Sequence, residues 1–113
     1  MDLSTHEATV GRHPVLSVQG EIDLATLPIL HNALGRFVGA HPATRLVVDL
    51  DGVYACDDTA LGSLLGAAGR ARDSGGDLVV VCHEGALRTR LARTGFDRAV
   101  PVVEAIGAVD NAG

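Results

Sequence analysis

Acidic side chains are the groups in this sequence best placed to do chemistry. Six of them follow two neighbouring predicted strands: Glu21, Asp23, Asp49, Asp51, Asp57 and Asp58. Because functional groups gather beyond the carboxyl ends of parallel strands, these acids are expected near one edge of a sheet. Carboxylates crowded there either hold a divalent cation for phosphoryl chemistry or shape a surface that a partner protein recognises.

The elements that position these acids follow from the hydrophobic pattern. Short apolar runs predict strands at 8–10, 15–19, 46–48, 78–81 and 100–103, with a loop over 49–57. Helical spacing predicts helices that begin after Thr26, near residue 59 and at residue 86, and a short one over 104–109. Strand–helix–strand units of this length favour parallel pairing with right-handed crossovers.

This order of elements predicts an α/β fold that begins with a short antiparallel hairpin. Right-handed β–α units then give a mostly parallel sheet of four or five strands packed with about four helices. The 113 residues suffice for one domain, with a core over about 8–106 and a frayed tail over 110–113.

Composition excludes several classes of function. Nine arginines, no lysine and fourteen acids give a net charge of −5, and aromatic residues make up 3% of the chain, so direct binding of nucleic acid is not expected. Neither a signal peptide nor a membrane-spanning run is apparent, which predicts a cytoplasmic protein. No cofactor or metal is expected, since the sequence has no phosphate-binding glycine loop and no metal-ligand spacing. The protein is also expected to be a monomer or weak dimer.

One enzymatic interpretation depends on residues 47–53, an apolar strand followed by D-x-D-G. This segment resembles the opening motif of haloacid-dehalogenase-type phosphatases, which implies Asp49 as the phosphoryl-accepting nucleophile and Asp51 as the general acid, beside Mg²⁺. The same four residues also form a good turn. That family also needs a downstream lysine or arginine and then a further acidic pair that holds Mg²⁺. This chain has no lysine, and no acidic pair follows Asp58.

A longer stretch, residues 46–62, resembles the signature of STAS-domain anti-sigma factor antagonists. That signature is an apolar strand, D-L-x-x-V, and then D-S-[ST]-G-[LIV]-G opening a helix. The resemblance continues in G-E-I-D at 20–23, in the G-G-x-L strand at 75–81 and in the helix end L-x-x-x-G at 91–96. Several motifs in the right order cover roughly residues 8–106.

The resemblance implies a STAS fold and a role in recognition without catalysis. Members of the family bind an anti-sigma factor, usually a serine kinase of the histidine-kinase-like ATPase fold, and thereby free a sigma factor for transcription. Phosphorylation of the serine in D-S-[ST]-G breaks the complex. STAS domains also serve as subunits of lipid-transport machinery, stress-signalling complexes and anion transporters, so the fold alone does not identify the partner.

The chain departs from this signature at the switch itself. Asp58 stands where the family has its phosphoserine, and Ala60 replaces the glycine. Three consequences are open: Asp58 mimics part of a phosphate, it makes the protein blind to the kinase so that binding is constitutive, or Thr59 becomes the acceptor. A purely structural alternative is that Asp58 or Asp57 caps the helix.

Partner binding is expected around this helix start. The residues assigned to it are Asp23, Asp57, Asp58, Thr59, Ala60, Leu61, Gly62 and Gly66. The row Gly62, Gly66 and Gly69 costs helix stability, which fits either a smooth docking face or close packing against a neighbouring helix. Cys56 and Cys82 follow neighbouring strands, so they are either a redox-formed pair or two inert buried thiols.

Overall fold

One five-stranded β-sheet organises the fold, and the computed structural model describes it within residues 2–112. The strands lie side by side in chain order: β1 (Leu3–Val10), β2 (His13–Ile22), β3 (Arg45–Cys56), β4 (Asp77–Val81) and β5 (Val102–Val103). β1 pairs with β2 in antiparallel fashion, and the other neighbours are parallel. The predicted α/β fold with an N-terminal hairpin is confirmed.

The four α-helices pack on one face of this sheet. They are α1 (Leu27–Ala40), α2 (Thr59–Asp73), α3 (Ala86–Arg93) and α4 (Phe96–Ala99), followed by a 3₁₀ helix (Ile106–Asn111). Strand order equals chain order, and parallel crossovers share one hand, so successive α-helices return to the same side. Their buried side chains, such as Leu34, Leu64 and Leu91, join alternate strand residues such as Leu46 and Val48 in the main core.

The opposite face of the sheet is covered by the C-terminal segment. Val15, Val47 and Val79 point to this side because side chains alternate along a strand, and Val109 of the 3₁₀ helix packs on them with none of its surface exposed. A short helix over 104–109 is predicted, whereas a 3₁₀ helix forms two residues later.

Arg45 holds this segment in place. Its Nη1 donates to the carbonyl oxygens of Val109, at 2.8 Å, and Ala112, at 3.1 Å. Asp110 lies 2.6 Å from His13 Nε2. Residues 110–112 therefore have defined contacts where the sequence predicts a frayed tail, and Gly113 lies outside the described residues.

β3 is the largest departure from the sequence prediction, because it continues through 49–56, where a loop is expected. The reason is pairing: residues 19–22 of β2 extend alongside 52–56 and supply the backbone partners, with register shifts before Gln19 and after Gly20. Gly52 permits this close approach, since a Cβ there would lie 2.6 Å from Gln19 Cγ. β1 is likewise longer than predicted, since pairing with β2 begins at Leu3.

Candidate functional site

The junction between β3 and α2 lies at the carboxyl edge of the sheet. The backbone N–H of Asp57 donates to the Ile22 carbonyl at 2.8 Å, which ties this junction to the end of β2. Asp57 Oδ1 then accepts two hydrogen bonds from Thr59, from its backbone N–H at 3.0 Å and from its hydroxyl at 2.9 Å. These bonds, the backbone one foremost, lower the pKa of Asp57 below its ordinary value of 3.8. Asp57 and Asp58 are the two candidates for the cap of α2, and it is Asp57 that accepts the Thr59 N–H.

Asp58 instead faces a cation on another helix. Its Oδ1 lies 3.1 Å from Nε of Arg90 on α3, while 72% of the Asp58 side chain remains exposed. Arg90 Nη2 also donates to the carbonyl of Cys56, the last residue of β3. The sequence offers no spacing that links residues 58 and 90, and α3 is striped by several arginines typical of a solvated face, so only the fold reveals this pair.

The predicted partner-binding residues divide between surface and core. Thr59, Gly62 and Gly66 are exposed, and a Cβ added at Gly62 would meet nothing within 4 Å. Ala60 and Leu61 are buried, at 0% and 8% exposure, so their assignment to a partner surface is corrected: they are core residues that anchor the helix start.

The glycine row on α2 does not pack against a neighbouring helix. Gly69 and Gly62 have open space where a Cβ would be, and Gly66 would meet only a terminal atom of Arg70, at 3.5 Å. The close-packing alternative is therefore wrong for these positions. What remains is a stretch of helix surface with little side-chain cover.

Asp23 lies in the loop before α1 and is held by reciprocal bonds. Its backbone N–H donates to the Thr26 hydroxyl and its Oδ1 accepts the Thr26 N–H, both at 2.9 Å. The Thr26 N–H is the main cause of a lowered pKa for Asp23. The Thr26 hydroxyl donates to the Glu21 carbonyl, so it closes this loop rather than capping α1 by its side chain. Leu24, within the loop, is 70% exposed, a feature that hydrophobic periodicity missed because it falls between elements.

Asp49 and Asp51 lie within β3 rather than beyond its end. Asp49 Oδ1 accepts the Asp51 backbone N–H at 2.9 Å, and Asp51 Oδ1 accepts the His83 backbone N–H at 2.8 Å, with His83 Nδ1 at 2.7 Å. Within residues 2–112, no group of three or more histidine, cysteine or acidic side chains is arranged to hold a metal ion. Asp51 thus ties β3 to the segment after β4, while Asp49 bonds within β3, and this geometry does not favour the phosphatase interpretation.

Cys56 and Cys82 are free thiols near the ends of neighbouring strands. Burial raises the pKa of both thiols. A raised pKa disfavours the thiolate that disulfide exchange requires. The chemistry of the two residues therefore fits inert packing better than a redox pair.

An open pocket of about 390 Å³ separates the end of β3 from α3. Tyr54, 73% exposed, stands on the strand side, and Thr89, Arg90 and Arg93 line the helix side. The edge of the sheet therefore presents an exposed tyrosine beside two arginines of α3. No helix in the described part of the chain is both long and apolar enough to cross a membrane.

A family match in sequence and a similar solved structure agree with each other. The sequence matches the family described as "Mlab, STAS domain" over residues 5–104. In three dimensions the chain is similar to an anti-sigma factor antagonist from Mycobacterium paratuberculosis, with 28% identity and a TM-score of 0.86, covering 97% of this chain and 92% of that one. No curated protein matches the chain significantly in sequence.

More distant solved structures share the fold. The unphosphorylated form of the Bacillus anti-sigma factor antagonist SpoIIAA is 15% identical with a TM-score of 0.74, covering 96% of this chain and 95% of that one. The murine anion transporter Slc26a9 is 13% identical with a TM-score of 0.75, covering 97% of this chain and 22% of that one. The family match spans most of the chain, which confirms the predicted resemblance: the chain belongs to the STAS-domain family, among relatives that include anti-sigma factor antagonists.

Proposed function

We propose that this protein is an anti-sigma factor antagonist that binds an anti-sigma factor and so releases a sigma factor for transcription. The partner is a serine-kinase-type anti-sigma factor of the histidine-kinase-like ATPase fold, met in the cytoplasm. The protein acts by recognition, without catalysis and without a cofactor. One observation carries the proposal: 28% identity over 97% of the chain to the Mycobacterium paratuberculosis antagonist.

The proposed docking surface is the start of α2 together with the loop before α1. Exposure supports this choice, since Asp58, Thr59 and Gly62 are all exposed there. The bond from the Asp57 N–H to the Ile22 carbonyl keeps the two segments adjacent. Leu24 adds an exposed apolar side chain of the kind that anchors protein interfaces.

Asp58 makes this antagonist different from a phosphorylation-switched one. A carboxylate cannot accept a phosphoryl group from a serine kinase, so the usual release step is absent at this position. The protein then binds its partner regardless of ATP unless Thr59 takes over as acceptor. Thr59 is exposed, and its hydroxyl donates to Asp57, which leaves that alternative open to test.

The deciding experiment is a calorimetric titration of the wild type and Asp58→Ser against the host's kinase-type anti-sigma factors, with and without ATP. We expect tight binding by the wild type that ATP does not erode. Asp58→Ser should bind without ATP and dissociate when ATP is added. Loss of wild-type binding in ATP that Thr59→Ala prevents would identify Thr59 as the acceptor.

A second candidate function is a subunit of another STAS assembly, such as a lipid-transport or stress-signalling complex. The observation that supports this second candidate is the description of the matching family, which names Mlab. Failure of both wild type and Asp58→Ser to bind any kinase-type anti-sigma factor would refute the first proposal and direct attention to this one.

A further inference from the structure

Arg90 reaches Asp58 from beneath the switch rather than from solvent. Its Nε lies 3.1 Å from Asp58 Oδ1, and 33% of the Arg90 side chain is exposed against 72% of the Asp58 side chain. Arg90 Nη2 is bound to the carbonyl of Cys56 at the end of β3. The arginine is therefore the anchored member of the pair, and it meets the acid through charge, since Nε has no hydrogen-bond partner among the described residues.

Of the remaining charges around the junction, Asp57 and Arg88 have hydrogen-bond partners of their own. Asp57 accepts both donors of Thr59, and Arg88 donates to the Cys82 carbonyl at 3.1 Å. Arg93, one turn along α3, is exposed and forms no ion pair among the described residues. The charge of Asp58 thus has one close counter-charge, Arg90.

We propose that Arg90 is a positioning residue whose charge neutralises Asp58 and draws its carboxylate toward α3, so that a partner protein meets a surface like that of the unphosphorylated switch. The charge count supports this assignment. Arg90 offsets the single charge of the Asp58 carboxylate, whereas a phosphoserine of about −2 at this position would exceed it. The charge of Asp57, on which Arg90 also acts, is the same in both cases. The inference rests on the proposed function, and it selects constitutive binding over phosphate mimicry.

The Asp58–Arg90 ion pair matters most when a partner protein buries it. On the free surface an exposed ion pair stabilises the fold little, because solvent screens it. Once a partner covers the junction, an unpaired carboxylate would lose its hydration without compensation. Arg90 supplies that compensation in advance, so its effect should appear in partner affinity more than in stability.

The test is a double-mutant cycle in affinity for the kinase-type anti-sigma factor that the wild type binds. Arg90→Gln should weaken binding about tenfold or more, because it leaves Asp58 unpaired under the partner. Asp58→Asn should weaken binding by less than about tenfold, because the guanidinium that it leaves unpaired keeps its bond to the Cys56 carbonyl. The double variant should recover part of the loss seen in Arg90→Gln. Arg36→Gln, at an exposed arginine of α1 that forms no ion pair among the described residues, is the control and should bind like the wild type.

Two results in this cycle would overturn the inference. One is Arg90→Gln binding as tightly as the wild type. The other is Asp58→Asn binding about tenfold or more tightly than the wild type, since a phosphate mimic gains affinity when its charge is removed. Unfolding midpoints of all four variants exclude a loss of fold as the cause.

A partner-independent measurement separates this inference from the proposed function. In the free protein, Asp58→Asn should shift the Nε–Hε resonance of Arg90 in a ¹⁵N–¹H correlation spectrum and leave that of Arg93 in place. An unmoved Arg90 resonance refutes the pair. A shifted resonance together with no binding by any variant supports the pair while refuting the anti-sigma partner.

Discussion

Asp57 and Thr59 form a closed unit at the start of α2, in which one carboxylate oxygen accepts both the backbone N–H and the hydroxyl of the threonine, at 3.0 and 2.9 Å. The unit satisfies one of the free N–H groups that every helix has in its first turn. It also leaves Asp58 without a capping role, so the carboxylate of Asp58 is available to Arg90.

Asp57→Ala should therefore lower the urea midpoint of unfolding, because the Thr59 N–H loses its acceptor. Asp57→Asn keeps an acceptor oxygen and should lower the midpoint less. Asp58→Asn should lower it least of the three. Equal losses for Asp57→Ala and Asp58→Asn would show that the cap contact does not stabilise the helix.

The same contact predicts a pH dependence. The folded-state pKa of Asp57 is lowered, so its contribution to stability is present above the unfolded-state value of about 3.8 and is lost as pH falls through the folded-state value. The difference in urea midpoint between wild type and Asp57→Asn should be full at pH 6 and should shrink below pH 3.8. A difference that stays constant to pH 2.5 would argue against ionic capping.

Leu64 and Leu65 are neighbours on α2 with opposite environments. Leu64 has none of its surface exposed, and Leu65 has 41% exposed, although the helical spacing assigns both to the apolar stripe. Leu64→Ala should reduce the free energy of unfolding by about 2–5 kcal/mol, and Leu65→Ala by less than about 1 kcal/mol. Chemical denaturation measures both, and similar losses would contradict this orientation of α2.

Gly62 offers a test of the docking surface with a matched control. Gly62→Gln and Gly35→Gln each place a side chain in open space on a helix, α2 and α1 respectively. Both should stabilise the fold by about 0.5–1 kcal/mol, since glycine is a poor helix former. Only Gly62→Gln should weaken anti-sigma factor binding in the calorimetric titration. Equal affinities for the two variants would remove this part of α2 from the interface.

Arg45 links β3 to the C-terminal segment. Arg45→Met removes its bonds to the Asp77 carboxylate and to the carbonyls of Val109 and Ala112, and should reduce the free energy of unfolding by about 2 kcal/mol. Arg12→Met, which loses one contact of 3.6 Å to Asp110 from an 82% exposed side chain, is the control and should cost little. Faster amide exchange at Ala112 in the first variant alone would confirm that Arg45 holds the segment.

Local patterns in the sequence were sufficient for the fold class. The continuous apolar run at 46–48 predicts a strand covered on both faces, and both faces of β3 are covered there. The glycine at 95 predicts the end of α3, where the backbone adopts φ +80°. Such signals are local, because the spacing of buried residues and the backbone conformation at a helix end each depend on a few consecutive residues.

The candidate site was predicted in part. Motif order located the junction at residues 57–59, and these residues are exposed there. The sequence predicts a loop over 49–57 because D-x-D-G has the composition of a turn, whereas pairing with β2 keeps 49–56 extended. Ala60 and Leu61 were placed on the surface by their position in the motif, whereas the core covers their side chains.

The sequence by itself determined the α/β class, the order of the elements and the acid at position 58, since each depends on residue type and short-range spacing. The tertiary structure decided what that acid contacts. Thirty-two residues separate Asp58 from Arg90, and only the return of α3 to the face that carries α2 brings the two charges within 3.1 Å. No residue spacing in the sequence predicts an ion pair between two crossover helices, because its geometry arises from the packing of those helices on the sheet.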